Sequence, residues 1–179
     1  RQWREQGLCL PPITLNVSAV CLGEPRFAAS LLNDLREQTI TPEQLHIEIS
    51  ESALHSHFEQ VADNLGQLAE AGVQASVDAF GAGHSSLGHL RRLPLTRLKI
   101  DDALINGLGR NPEDETLVGA VLAMARALKL QTVAAGVTTQ AQLDWLMARG
   151  CEMAQGGLLA PLQSPAAFAA QLPSEPAYS

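Results

Sequence analysis

The sequence is poor in aromatic and basic residues. Only 4% of its 179 residues are aromatic, and 12 lysines and arginines stand against 19 aspartates and glutamates, which gives a formal net charge of −7. No basic cluster with interleaved aromatic residues occurs, and this argues against a groove for a nucleic-acid polymer. A nucleotide dianion that binds here would need local hydrogen-bond donors or a metal ion.

The sequence also has few cysteines and no long apolar run. Cys9, Cys21 and Cys151 are odd in number and lack the spacing of metal ligands, so we expect reduced thiols rather than disulfides. No run approaches the roughly 20 apolar residues of a membrane-spanning helix, and no signal peptide is visible. These features predict a cytoplasmic protein without a membrane span in this segment.

Strand-like and helix-like runs follow each other about six times along the chain. The first residues lack a Met and have the spacing of a helix tail, so we expect a segment of a longer protein with adjacent domains. Leu117 and Met147 are expected on the inward faces of their helices. The predicted strands are 13–18, 45–49, a run ending at Asp78, 97–100, 132–137 and 151–157; the predicted helices are 25–38, 50–71, 85–92, 112–130, 139–149 and 166–172.

This alternation predicts a parallel α/β architecture. No GxGxxG follows the first strand, which disfavours a dinucleotide-binding sheet and favours a (β/α) barrel. Such barrels have about 250 residues and eight units, so we expect a (β/α)8-type, TIM-like barrel over 1–172 that lacks its first β/α unit. The Pro- and Ser-rich residues 173–179 are expected to form a disordered tail.

The most informative stretch runs from Ser76 to Asp102, where a glycine-rich loop joins two apolar runs that each end in an acidic residue. Parallel strands have their carboxyl ends on the same side of a sheet, so Asp78, Lys99 and Asp101 are expected to open onto one face. Ser85 is expected to cap the helix that follows the loop.

Polar residues stand at the carboxyl ends of several predicted strands, where a barrel places its active site. Carboxylate and amide oxygens suit Mg²⁺ or Mn²⁺, and two such ions about 4 Å apart could activate water for phosphodiester cleavage, with a lysine to orient or deprotonate that water. The alternative is that these side chains cap the helices that follow. The five histidines lack metal spacing and are expected at the surface or in caps. The strand-end residues are Asn16, Glu48, Asp78, Lys99, Asp101 and Gln155.

The segment DAFGAGHSSLGHLRRLPLTRLKID resembles the DDFGTGYSSLxYLxxLPxDxLKID segment of EAL domains, a bacterial phosphodiesterase family that hydrolyses cyclic di-GMP. The resemblance continues through LNVSA (15–19), HIEISES (46–52), VAAGVTT (133–139) and AQGG (154–157). It covers nearly the whole chain and implies the same barrel fold, Mg or Mn as cofactor, cyclic di-GMP as ligand, and a homodimer or a partner signalling protein.

The resemblance also implies roles for individual residues. It makes Asn16, Glu48 and Asp78 metal ligands, with Asp101 as a further weak candidate, and Lys99 the water-activating lysine. The resemblance also implies which residues bind the ligand and which residues brace the glycine-rich loop. The ligand-binding positions are Gln155, Gly156 and Pro161; the bracing residues are Glu51 and Phe80.

Departures from the family pattern decide the expected activity. Ala79 replaces the second Asp of the Asp-Asp-Phe-Gly motif, Ala135 and Thr138 replace two Glu residues, and the Glu-Ala-Leu tripeptide is absent. An alanine offers no oxygen to a cation, so we expect a weakened single metal site and little hydrolysis. We expect a catalytically inactive module that senses the nucleotide or contacts a protein; the alternatives are a weakly active metal-dependent phosphodiesterase and a ligand-free scaffold.

Overall fold

Six parallel strands form one sheet, and each strand pairs with the next one along the chain. The computed structural model describes residues 2–51, 57–81 and 87–173. Strands in sequential order with helices between them are the arrangement of a (β/α) barrel, so the predicted fold class is confirmed, with fewer than eight units. The strands are β1 (Ile13–Val17), β2 (Leu45–Ser50), β3 (Gln74–Phe80), β4 (Arg97–Ile100), β5 (Gln131–Ala134) and β6 (Met153–Ala154).

The helices cover one face of the sheet and bury its apolar side chains. Ile47 and Ile49 of β2, Val77 of β3, and Leu98 and Ile100 of β4 have no exposed surface. This face is the core, which leaves the opposite face for polar residues. The helices are α1 (Gln2–Glu5), α2 (Ala19–Leu22), α3 (Phe27–Glu37), a 3-10 helix (Pro42–Gln44), α4 (Phe58–Glu70), α5 (Leu87–Leu90), α6 (Asp102–Gly107), α7 (Pro112–Ala127), α8 (Gln140–Ala148) and α9 (Pro165–Ala169).

Four helices end in the same way. A residue with positive φ follows each of them, and the next N–H bonds to the carbonyl five residues earlier, which is the Schellman motif. The residue after the turn is apolar, so it packs inward and the chain is led into the next strand. The turn residues are Thr39, Gly72, Lys129 and Gly150; the bonds are Ile40 to Leu35 (2.8 Å), Val73 to Leu68 (2.9 Å), Leu130 to Ala125 (2.9 Å) and Cys151 to Leu146 (3.1 Å).

Two helix predictions and two inward positions are wrong. Ser50, where the helix predicted over 50–71 would begin, belongs to β2, and α4 begins at Phe58, with residues 52–56 outside the described ranges. The helix predicted to reach residue 130 ends at Ala127. Leu117 is 51% and Met147 is 64% exposed. The adjacent residues Val118 and Leu146, which the same pattern also predicts on the inward faces, are buried; one residue is about 100° of helix rotation.

Other differences lie at element ends. Helices α2 and α6 were not predicted, and β5 and β6 are shorter than expected. The capping role predicted for Ser85 and the tail after Pro173 lie outside the described residues. No helix in the described ranges is long and apolar enough to cross a membrane.

Candidate active site at the strand ends

The face of the sheet opposite the helices carries the candidate site. Side chains alternate along a strand, so Glu48 points away from the core side that its neighbours Ile47 and Ile49 occupy. The register places Asn16 of β1 beside Glu48. Glu48 is 9% exposed, whereas Asn16 is exposed at the edge strand. Two of the predicted site residues thus share one end of neighbouring strands.

A β-bulge shapes the carboxyl end of β3. The register between β3 and β4 shifts between Val77 and Phe80, and Ala79 has a φ of 55°. Strict alternation would place Phe80 on the same face as Asp78, but the extra residue turns Phe80 into the core, where it is 8% exposed. The Asp78 carboxylate remains at the site and accepts a hydrogen bond from the N–H of Ala79 (2.8 Å).

Lys99 joins two of the predicted site carboxylates. Its Nζ lies 3.0 Å from Oε2 of Glu48 and 3.3 Å from Oδ1 of Asp78. Burial alone lowers the pKa of Lys99, but the hydrogen bond and charge of Glu48 and the charge of Asp78 outweigh it, so the pKa is raised. Lys99 is therefore an ammonium ion at neutral pH, which can donate hydrogen bonds but cannot take a proton from water.

A cavity of about 340 Å³ opens beside this cluster. Ala79 and Ala135 stand on its wall, so the two positions that the family pattern gives to carboxylates carry methyl groups here. Thr138 is not part of the lining, because its hydroxyl bonds to the side chain of Gln142 at the start of α8 (3.2 Å). The lining residues are Asp78, Ala79, Lys99, Asp101, Asp102, Ala135, Gly136, Gln155 and Gly156.

Asp101 lines the cavity, but its side chain caps the helix that follows. Its carboxylate accepts a hydrogen bond from the N–H of Ala103 (2.8 Å) and caps α6. This is the capping alternative to metal binding.

Gly156 permits close contact between β6 and the end of β5. A Cβ atom at Gly156 would lie 2.2 Å from the carbonyl oxygen of Val137, so no other residue fits without moving the backbone. Gln155 is held next to it by a hydrogen bond from its N–H to the carbonyl of Ala134 (2.8 Å). Pro161 lines a neighbouring cavity of about 560 Å³, which shares Gln155 and Gly156 with the site.

Glu51 contacts the first residue of the glycine-rich segment that follows Phe80. It is 6% exposed, and its Oε2 accepts a hydrogen bond from the N–H of Gly81 (3.2 Å). Phe80 precedes this contact and is anchored in the core. Both residues are therefore placed to fix the start of the loop, of which residues 82–86 lie outside the described ranges.

A second polar cavity, of about 550 Å³, lies deeper between the strands and was not predicted. His46 lines it and is only 2% exposed, so its predicted surface role is wrong. Burial and the positive charge of Arg97 lower the pKa of His46, and they outweigh a side-chain interaction with Gln74 that raises it. Strand alternation could have found His46, because it lies two residues before Glu48 on the same strand.

The donor set fits a divalent cation poorly. No group of three or more His, Cys, Asp and Glu side chains in the described part of the chain is placed to hold a metal ion. Glu48 and Asp78 are the carboxylates of the cluster, and both are already paired with Lys99. Asn16 adds only a neutral amide oxygen. Two of the four predicted metal ligands, Glu48 and Asp78, are thus paired with Lys99.

Parallel strands in chain order, with carboxylates, an amide and a lysine at their carboxyl ends, define a barrel-type domain of the kind that carries hydrolytic sites. Comparison with known families identifies it further. The EAL domain model matches residues 1–162, and the chain belongs to the EAL domain family.

Curated relatives include enzymes and a regulator. The chain is 38% identical over 159 residues to the bifunctional diguanylate cyclase/cyclic di-GMP phosphodiesterase MucR of Pseudomonas aeruginosa, covering 89% of this chain and 23% of MucR. It is 33% identical over 149 residues to the blue light- and temperature-regulated antirepressor BluF of Escherichia coli, covering 83% of this chain and 37% of BluF. The chain thus spans less than two-fifths of either relative.

Solved structures of similar fold carry the same domain. The EAL domain of DcpA from Mycobacterium smegmatis superposes with a TM-score of 0.87 at 35% identity, covering 96% of this chain and 77% of that one. BlrP1 of Klebsiella pneumoniae, solved with manganese and cyclic di-GMP, gives a TM-score of 0.74 at 28% identity, covering 82% and 38%.

Proposed function

We propose that this domain acts in cyclic di-GMP signalling as a catalytically inactive EAL domain that senses the nucleotide or contacts a partner protein. The observation that carries the proposal is the pair of methyl groups, Ala79 and Ala135, on the wall of the cavity that Asp78, Lys99 and Gln155 line. A phosphodiester displacement assisted by two cations needs oxygen ligands on both sides of the scissile phosphate. The wall of this cavity carries no side-chain oxygen at the two positions where the family resemblance expects a carboxylate.

The missing oxygen ligands are expected to slow phosphodiester hydrolysis strongly. Loss of one group that stabilises a transition-state charge costs about 10²–10³ in rate, and here two ligand positions are lost together. Lys99 cannot compensate as a base, because its pKa is raised by Glu48 and Asp78. Hydrolysis at a rate useful to a cell is not expected from this arrangement.

Nucleotide recognition depends on other features. Gln155 and Gly156 line the site cavity, and Pro161 lines the cavity next to it. The two cavities adjoin at Gln155 and Gly156, which line both, and BlrP1 was solved as a complex with cyclic di-GMP. Shape and a few donors are enough for binding without turnover.

Two other functions remain as second candidates. The retained Asn16, Glu48, Asp78 and Lys99 favour a weak phosphodiesterase that uses one manganese or magnesium ion. The absence of aromatic residues from Gly157 to Pro161 removes stacking partners for a base and favours a scaffold that binds only protein. The antirepressor BluF shows that a relative of similar identity has a regulatory role.

A calorimetric titration with cyclic di-GMP, with and without Mn²⁺, separates these functions when the nucleotide is analysed afterwards. We expect binding of intact cyclic di-GMP, and linear dinucleotide produced in a Mn²⁺-dependent reaction would refute the proposal. The double variant Ala79→Asp/Ala135→Glu restores two carboxylates to the wall and is expected to increase Mn²⁺-dependent hydrolysis. Absence of binding in every condition would leave the scaffold function.

A further inference from the structure

The deeper polar cavity, of about 550 Å³, departs from the usual interior of a barrel. Barrel interiors are normally filled by bulky apolar side chains. Here β2, β3 and β4 each turn polar side chains into this space, and two of them, His46 and Ser76, are only 2% exposed. Buried polar groups need hydrogen-bonding partners to offset their lost hydration. The cavity therefore suits a polar occupant rather than an apolar one.

Arg97 is a cation of this cavity that no carboxylate of the described residues neutralises. It precedes Lys99 by two residues, so it points to the same face of the sheet and lies about 7 Å closer to the amino end of β4. Its Nε donates a hydrogen bond to the side-chain oxygen of Gln131 (3.3 Å). A guanidinium group has five N–H donors, so the others remain for a further partner.

The lining of the cavity carries positive charge, although the whole chain has a net charge of −7. Glu48 is the carboxylate among the described lining residues, and Lys99 already holds it at 3.0 Å. The lowered pKa of His46 keeps that ring neutral. One carboxylate against the ammonium of Lys99 and the guanidinium of Arg97 leaves a net charge of +1, which a small anion would balance.

We propose that Arg97 binds a phosphate group inside the barrel, on the amino-end side of the candidate site. Its guanidinium can donate two parallel hydrogen bonds to two phosphate oxygens. The hydroxyl groups of Thr14 and Ser76 line the same cavity, and the register places Ser76 beside Arg97. These hydroxyls can donate to a third oxygen, which phosphate has and a carboxylate ligand lacks.

The phosphate group has two sources, because this cavity adjoins the one at the strand ends. Lys99 and Gln155 line both cavities, so the group is either free phosphate or the phosphate of a nucleotide that enters from the strand ends. The EAL pattern LPxDxLKID leaves the position of Arg97 open, so the site belongs to this chain's own sequence. The inference goes beyond the proposed function and does not depend on it.

Inorganic phosphate is the probe, titrated calorimetrically into the domain in phosphate-free buffer at constant ionic strength. Wild type is expected to bind one phosphate saturably and to melt at a higher temperature as phosphate is added. Arg97→Gln removes the charge and the two-pronged donor, so we expect its affinity to fall at least about tenfold. Arg36→Gln, at the exposed end of α3, removes the same charge outside the cavity and is expected to bind phosphate as wild type does.

Guanosine monophosphate and guanosine distinguish the two sources. If the phosphate belongs to a nucleotide, guanosine monophosphate binds more tightly than inorganic phosphate, and guanosine binds much more weakly than either. If the site serves free phosphate, guanosine monophosphate binds no more tightly than inorganic phosphate. In both cases Arg97→Gln weakens the binding of the phosphate-bearing ligand, and binding that does not depend on Arg97 contradicts the inference.

Absence of phosphate binding by wild type overturns the inference, and so does equal affinity of wild type and Arg97→Gln. Acetate that binds as tightly as phosphate overturns the assignment to phosphate. If Arg97→Gln does not fold, nuclear magnetic resonance of wild type decides: the Arg97 Nε–H signal should shift as phosphate saturates, and saturable binding that leaves it unchanged refutes the site. A domain that binds phosphate but not cyclic di-GMP keeps this inference and loses nucleotide sensing.

Discussion

At the scale of single residues, Ala79 combines a left-handed backbone conformation with a side chain that offers no oxygen. Its φ of 55° lies in the left-handed region, which alanine adopts at a cost. The bulge needs this conformation in order to turn Phe80 into the core while Asp78 stays at the site. The backbone of the site therefore bends at a residue whose side chain offers no oxygen.

Glycine at this position is expected to stabilise the protein. Ala79→Gly relieves the left-handed strain and should raise the free energy of unfolding by about 0.5–1 kcal/mol. Ala75→Gly, in the regular and buried part of β3, is the control and should lower it, because there glycine only adds freedom to the unfolded chain and loses packing. Denaturant unfolding measures both, and a loss of stability in Ala79→Gly would contradict the role assigned to the bulge.

At the scale of secondary-structure elements, Glu152 attaches β6 to β5. Its carboxylate accepts hydrogen bonds from the N–H of Thr132 (2.8 Å) and from the Thr132 hydroxyl. Burial by itself raises the pKa of Glu152, but the two bonds from Thr132 and the charge of Arg126 outweigh it and lower the pKa. Because β6 has only two residues, this side-chain contact helps to set its register on β5.

The lowered pKa gives this contact a defined pH dependence. Its stabilisation is complete above the unfolded-state pKa of about 4.3 and is lost as the pH falls through the lower folded-state pKa. Glu152→Gln should therefore reduce the free energy of unfolding by about 1 kcal/mol at pH 7, since the carboxylate is partly exposed to solvent, and by much less near pH 3. Unfolding curves at both pH values test this.

The exposed Glu70, at the end of α4, offers a control for the same chemical change. Glu70→Gln should have little effect at either pH. An effect of Glu152→Gln that is equally large at pH 3 and pH 7 would show that the carboxylate charge is not what holds the two strands.

At the scale of the whole molecule, the contact between Glu51 and Gly81 lies between the site and the loop that follows. The family resemblance implies a homodimer in which this loop couples the site to the interface. If the coupling holds, Glu51→Gln should weaken the bond to Gly81 and raise the dimer dissociation constant about fivefold, as expected for a loss of about 1 kcal/mol.

Sedimentation equilibrium measures this change in association. Glu70→Gln again serves as the matched control, because it removes the same charge far from the loop. Equal dissociation constants for wild type and Glu51→Gln would separate the loop from self-association, and a purely monomeric wild type would exclude the homodimer.

The sequence by itself determined the family, the alternation of strands and helices and most members of the site. These depend on local patterns, namely apolar periodicity, glycine turns and short motifs around Asn16, Glu48, Asp78 and Lys99. Through the family resemblance it also predicted that Ala79 and Ala135 stand at positions of missing ligands, because the absence of an oxygen can be read from the residue type alone.

Only the tertiary structure decided how the remaining charges are used. Lys99 and Glu48 are 51 residues apart in the chain, and their contact of 3.0 Å depends on the order and register of β2, β3 and β4. The bulge at Ala79, the burial of His46 and the capping role of Asp101 likewise follow from how neighbouring elements pack. Pairing between distant strands is not encoded in any local pattern, and for this reason the two carboxylate partners of Lys99 could not be read from the sequence.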